Sequence, residues 1–213
     1  MKHFTQTDIQ QLERFYRANL VNSASGYKPA NLIGTVSADG VANLAIFSSV
    51  VHLGADPALL AFIQRPLAEQ GHTYHNIRQN GYYTINHVHR QIVEQAHYTS
   101  AKFDAEVSEF EACGLTPEWL ADFPAPFVME SQVKIGMRFV QEIPIALNNT
   151  IMVIGQIEHL LIAEHAIREN GSIALDQVDG VCISGLESYY ATTHLAAFPY
   201  AKTSALPDFK NAV

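Results

Sequence analysis

The chain has 213 residues, enough for one domain with elaborations and for a full core that needs no disulfide or metal to hold it. Hydrophobic residues make up 48% of it, and charged residues only 16%, below the ~25% usual in soluble domains. A net charge of −8 with no Lys/Arg run excludes wholesale phosphate-backbone binding, and no apolar run approaches the ~20 residues of a membrane span.

The opening MKHFTQTDIQQLERFYR is polar, so a soluble, cytoplasmic protein is expected. Thr7 followed by Gln10 predicts a capping box, and Ile9, Leu12, Phe15, Tyr16 and Leu20 recur at helical spacing. An N-terminal helix over 1–26 follows, ended by Gly26 and Pro29. Residues 31–37 (NLIGTVS) and 41–51 (VANLAIFSSVV) flank Ala38-Asp39-Gly40 and read as a β-hairpin. After the turn at 54–57, residues 58–64 (ALLAFIQ) predict a buried third strand. Residues 73–80 (TYHNIRQN) predict a short helix stopped by Gly81, with Ile77 inward.

Residues 82–88 alternate as a strand, and 90–97 read as a second short helix. Residues 98–126 are polar, acidic and broken by Gly114, Pro117, Pro124 and Pro126; they predict an excursion over the barrel without a core of its own. Residues 128–140 and 150–163 are long strand candidates, and a tail over 185–213 carries several aromatics. Strands outnumber helices and the connections are too short for βαβ crossovers, so the fold class is mainly β: an antiparallel six-stranded barrel with peripheral helices, within one domain over 1–213.

The densest chemistry lies between Asn43 and Asn76. Asn43, Ser48 and Ser49 place an amide and two hydroxyls along one strand, and Ala42 and Ala45 leave its backbone accessible. Gln64 and Arg65 end the next strand; His72 and Thr73 open the short helix. Backbone amides and small hydroxyls suit the polar edge of a planar ring, and a guanidinium with a helix N-terminus suits a phosphate. The ordinary alternative is a hairpin with Ser and Asn on its solvent face.

Ten histidines invite a metal reading, through His72/His75 and His87/His89, but no partner cysteine and no H-E-x-x-H accompanies them, so no metal is expected. His97 precedes a loop expected to cross a barrel mouth. Cys113 and Cys182 form no C-x-x-C pair and read as small hydrophobes in a reducing compartment. There is no G-x-S-x-G elbow, no Walker loop and no G-x-G-x-x-G fingerprint, so a nicotinamide nucleotide would not be held by a Rossmann unit.

The order NLIGTVSADGVANLAIFSS, LLAFIQRP and HTYHNIRQNGYYTIN, followed by SAKFD, SEFEACGLTP, APFVMESQV, VIGQIEHLLI and GLESYYATTHLAAFPYAK, resembles the flavin reductase-like family of FMN-binding split barrels. The resemblance runs from about Asn31 to Lys202. It implies a homodimeric, Greek-key-like split barrel that holds FMN non-covalently at the subunit interface. By the same resemblance Asn43, Leu44, Ala45, Ser48 and Ser49 lie along the flavin ring and ribityl chain, and Gln64 and Arg65 near the ribityl phosphate. Thr73 offers the hydroxyl at the phosphate, Asn76 and Ile77 belong to the helix behind it, and Tyr190 walls the site. The chain departs from the family pattern at Ile46, where proline is frequent. It departs again at Gly71-His72, where an acidic-then-basic pair is frequent, and at Ile135-Gly136, where Glu-Cys is common.

The function this implies is transfer of hydride from NADH or NADPH to flavin, with the cofactor carrying the chemistry and no catalytic side chain assigned. His97 is a candidate proton donor or nicotinamide contact, and a monooxygenase partner is left open. An FMN carrier or sensor on the same scaffold is the alternative. A pyridoxine-type oxidase ranks last, because basic residues for a second phosphate are scarce.

Overall fold

The computed structural model describes residues 1–66 and 71–209; positions 210–213 of the expected tail lie outside the described residues. Two helices open the chain, α1 (Gln6–Gln11) and α2 (Arg14–Ala24). The single expected helix breaks at Leu12, which is extended, and the capping box is Thr5 with Asp8. Glu13 then starts α2 by accepting the Phe15 and Tyr16 amides at 2.8 and 3.0 Å. No α1 or α2 residue is buried.

Twelve strands follow among the described residues. They are β1 (Lys28–Pro29), β2 (Asn31–Val36), β3 (Ala42–Phe47), β4 (Val51–Ala55), β5 (Ala58–Gln64), β6 (Tyr82–His87), β7 (Pro117–Glu118), β8 (Phe127–Val128), β9 (Val133–Ile145), β10 (Thr150–Ile162), β11 (Val181–Ser184) and β12 (Ser188–Ala191). The other helices are α3 (His72–Asn80), α4 (Val93–Tyr98), preceded by a 3₁₀ turn, and α5 (Glu109–Ala112).

The main sheet is antiparallel and has seven strands, in the order β3-β2-β6-β9-β10-β5-β4. The run 41–51, expected as one strand, divides in two, which turns the six expected strands into seven. That run feeds both edges of the sheet: β3 pairs with β2, the chain crosses at 48–50, and β4 pairs with β5. Ser49 bridges the crossing, its hydroxyl accepting the Ile63 amide at 3.0 Å and donating to the Ile63 carbonyl at 3.2 Å. A side chain thus replaces one rung of the ladder.

Inside the barrel, Ile33, Phe62, Ile77, Tyr83, Ile85, Met137 and Val153 form one core, which α3 closes with Ile77. Gly155 admits the Tyr83 ring there, since a Cβ would lie 2.2 Å from the phenol oxygen. On the other side Leu32, Leu44 and Val88 pack against Ile92 and Ala96 of the α4 region and against Phe110 and Leu115. The 98–126 excursion therefore shares a core with the barrel and adds a small cluster of its own around Phe123, Ala125 and Phe127. Lys134, nearly buried, pairs with Glu118 and holds the excursion to β9. A separate sheet, β1-β11-β12, brings the tail hairpin beside the N-terminal segment.

Candidate functional site

A cavity of about 830 Å³ opens where the β3–β4 crossing meets the N-terminus of α3, the loop after α4, and the tail hairpin. Seven of the ten expected contact residues line it: Asn43, Ala45, Ser48, Ser49, Gln64, Arg65 and Thr73. Three do not. Leu44 is fully buried in the core, and Asn76 is buried behind the wall. Tyr190 stacks edge-on against Tyr27, 4.9 Å between centroids, and Tyr189 takes the place on the wall. Adjacent strand residues face opposite sides, so a one-residue error in the tail exchanges wall for outside.

One side of the cavity is a closed polar network. The Asn43 amide nitrogen donates to both Glu109 carboxylate oxygens at 2.8 Å, and the Leu44 backbone N–H donates to Oε2 at 2.8 Å. The Thr35 and Thr73 hydroxyls both donate to Asn43 Oδ1 at 3.1 Å, and Asn76 donates to the Thr35 oxygen at 3.0 Å. Burial pushes the Glu109 carboxyl above the ordinary carboxylate range, against the opposing pull of these N–H donors and of the His72 imidazole.

The opposite edge has groups left over. Gln64 donates to the Arg65 carbonyl at 3.2 Å, but its buried Oε1 finds no partner among the described residues. Arg65 has no carboxylate within ion-pair distance among the described residues. Gly71, the residue before α3, gives that helix no side-chain cap, and His72 and Thr73 bring its N-terminus to the cavity. A helix start without a side-chain cap, and a guanidinium and an amide oxygen without partners among the described residues, fit a ligand with a phosphate at one end and polar ring or chain atoms along its length.

Toward the other end His97 and Tyr189 meet. The imidazole Nδ1 lies 3.1 Å from the phenol oxygen, with the rings edge to face at 5.8 Å. Lys28 also lines this end, its ammonium donating to the Asn22 and Gly185 carbonyls at 2.8 and 3.2 Å. The sequence reading missed Glu109, Lys28 and Tyr189. Glu109 lay in plain view in SEFEACGLTP, but its partner Asn43 is 66 residues away.

The His87/His89 pair lies away from the cavity lining. His89 bonds the Glu130 carbonyl at 2.9 Å and accepts the Gln91 amide, and burial pushes His87 down to about 4. Among the described residues no three His, Cys, Asp or Glu side chains gather as a metal site, and no helix is long and apolar enough to cross a membrane.

The antiparallel barrel, with an edge strand broken between its two sheet edges, has the fold of a split barrel. The chain belongs to the flavin reductase like domain family, whose model matches residues 26–182. A crystal structure of a protein with a split barrel domain from Shewanella frigidimarina NCIMB 400 is 50% identical with a TM-score of 0.91, covering 94% of this chain and 100% of that one. Nitrilotriacetate monooxygenase component B from Bacillus cereus shares the fold at 20% identity and a TM-score of 0.81, covering 93% of this chain and 98% of that one. An uncharacterized protein of Aquifex aeolicus (strain VF5) is 28% identical over 120 residues, a match that spans 55% of this chain and 61% of that relative's length.

Proposed function

We propose that this protein is an FMN-binding oxidoreductase of the flavin reductase type, using NADH or NADPH and working as a cytoplasmic homodimer with its flavin at the subunit interface. The observation that carries the reading is that, among the described residues, the buried Gln64 oxygen has no partner and the neighbouring Arg65 no counter-ion, near the start of α3 in a cavity of flavin-reductase ancestry. In this reading Arg65, the first N–H groups of α3 and the Thr73 hydroxyl hold the phosphate. Ser48, Ser49 and Gln64 meet the ribityl chain and ring edge, and Asn43, Ala45 and the β3 backbone form the bed. Leu44 and Asn76 support that bed from behind. Bound FMN would supply the hydride-accepting chemistry, and the protein supplies orientation and exclusion of water.

His97, held by Tyr189, is the proposed proton-carrying group nearest the ring end. The low charge content and the exposed apolar tail, with Leu195 at 97% and Phe198 at 88% exposure, support a second copy as the cover. A neighbour named as a monooxygenase component adds an oxygenase that receives reduced flavin to the proposed partners. The test is spectral. Purified protein mixed with FMN should give a bound-flavin spectrum, and anaerobic NADH or NADPH should bleach it. No spectral change with FMN sinks the flavin reading; binding without bleaching by either nucleotide favours a carrier.

A further inference from the structure

We infer that Glu109, on the excursion between α4 and β9, is the positioning residue that sets the flavin-facing side of β3 and the Thr73 hydroxyl. The inference rests on the flavin reading above and adds to it a residue from a segment remote in sequence.

The geometry is specific. Glu109 is 5% exposed and Asn43 6%, so each depends largely on protein partners for its hydrogen bonds. The carboxylate grips β3 at two consecutive residues, through the Asn43 side chain and the Leu44 backbone. That grip fixes which way the Asn43 amide faces. With its nitrogen committed to Glu109, only Oδ1 can turn toward Thr35 and Thr73, and it accepts from both hydroxyls. One carboxylate therefore determines an amide orientation, and the amide determines where a hydroxyl at the start of α3 points. Phe110, almost fully buried in the core with Leu32 and Leu44, anchors the short α5 that carries the acid. The titratable groups that reach Glu109 are His72 from α3 and Cys113 at the end of α5.

Two accounts of this carboxylate predict opposite results. As a bare negative charge beside an anionic ligand, its removal would tighten binding. As a positioning group, its replacement by glutamine sets an NH₂ against the Asn43 or Leu44 N–H and loosens the bed, so binding weakens. The experiment measures FMN dissociation constants by fluorescence quenching, at low temperature where circular dichroism shows every variant folded. Glu109→Gln should weaken FMN binding about tenfold, the scale of one hydrogen bond to a charged group. Asn43→Asp should weaken it further, by setting two carboxylates together. The double variant Glu109→Gln/Asn43→Asp restores a donor–acceptor match at unchanged net charge and should recover most of the loss. Visible circular dichroism at saturating FMN should be altered in the single variants and return toward the wild-type signature in the double. Equal or tighter FMN binding by Glu109→Gln, or a double variant no better than the singles, overturns the inference while leaving the flavin site standing. A wild-type chain that does not bind FMN overturns the flavin reading and this inference with it.

Discussion

Asn43, Thr35, Thr73, Asn76 and Glu109 satisfy one another inside the protein, whereas among the described residues lining the same cavity Gln64 keeps a buried oxygen without a partner and Arg65 lacks a counter-ion. The first group is built before any ligand arrives, and its bonds are part of the folded state. In the proposed function the second is completed by the flavin. If that function is right, the contrast separates residues that shape the site from residues that hold the flavin, and it predicts that the two respond differently to substitution. Changes on the closed side should move stability, with or without flavin; changes on the open side should move only affinity.

The largest expected effect is on the closed side. Asn43→Ala takes the side-chain donor from buried Glu109 and leaves Thr35 and Thr73 without their acceptor. Loss of those bonds should cost about 2–4 kcal/mol in urea unfolding of the flavin-free protein. An unfolding midpoint within error of wild type would show that the network is not part of the fold's stability. On the open side, Arg65→Ala should leave that midpoint unchanged and weaken FMN binding by about 1.5–3 kcal/mol, the worth of a charge-assisted hydrogen bond. Equal affinity would place the phosphate elsewhere. Thr73→Val belongs to both sides, since its hydroxyl serves Asn43 and stands at the start of α3. It should cost about 1 kcal/mol in stability and a similar amount in affinity; an effect confined to one of them would assign it to that side alone.

How far each side could be read in advance follows the range of the interactions. Strands β2, β5, β6 and β10 appear in the sequence within a residue of their observed limits, because alternation and turn residues are local. Strand β9 was harder: the reading ran 128–140, and the strand spans Val133–Ile145 with Pro144 inside it. Proline reads as a breaker, yet β6 leaves β9 after Arg138, so Pro144 faces a free edge where no N–H is required. The open-side residues Gln64, Arg65 and Thr73 cluster within ten positions, and chemistry alone brought them together. Glu109 could not be found that way. A buried acid in an acidic, proline-broken stretch looks like any solvated carboxylate until the fold brings Asn43 to it.

The smallest effect expected is one of pH. Burial raises the Glu109 carboxyl above its ordinary value, so in the flavin-free protein the folded state keeps a proton that the unfolded chain has already released. Its contribution is therefore fully present below the ordinary carboxylate value of 4.5 and is lost as pH rises through the raised one. His87 acts in the opposite sense: held down at about 4 by burial, it lowers stability as pH falls from 6.5 toward 4. The two slopes partly cancel in the wild type, which hides both. Glu109→Gln removes the first and should leave a steeper loss of stability on acidification, read as melting temperature against pH between 4 and 7. His87→Gln removes the second, and the melting temperature should then fall as pH rises. If Glu109→Gln leaves the profile unchanged, the carboxylate titrates as it does in the unfolded chain, and the closed side carries its charge without strain.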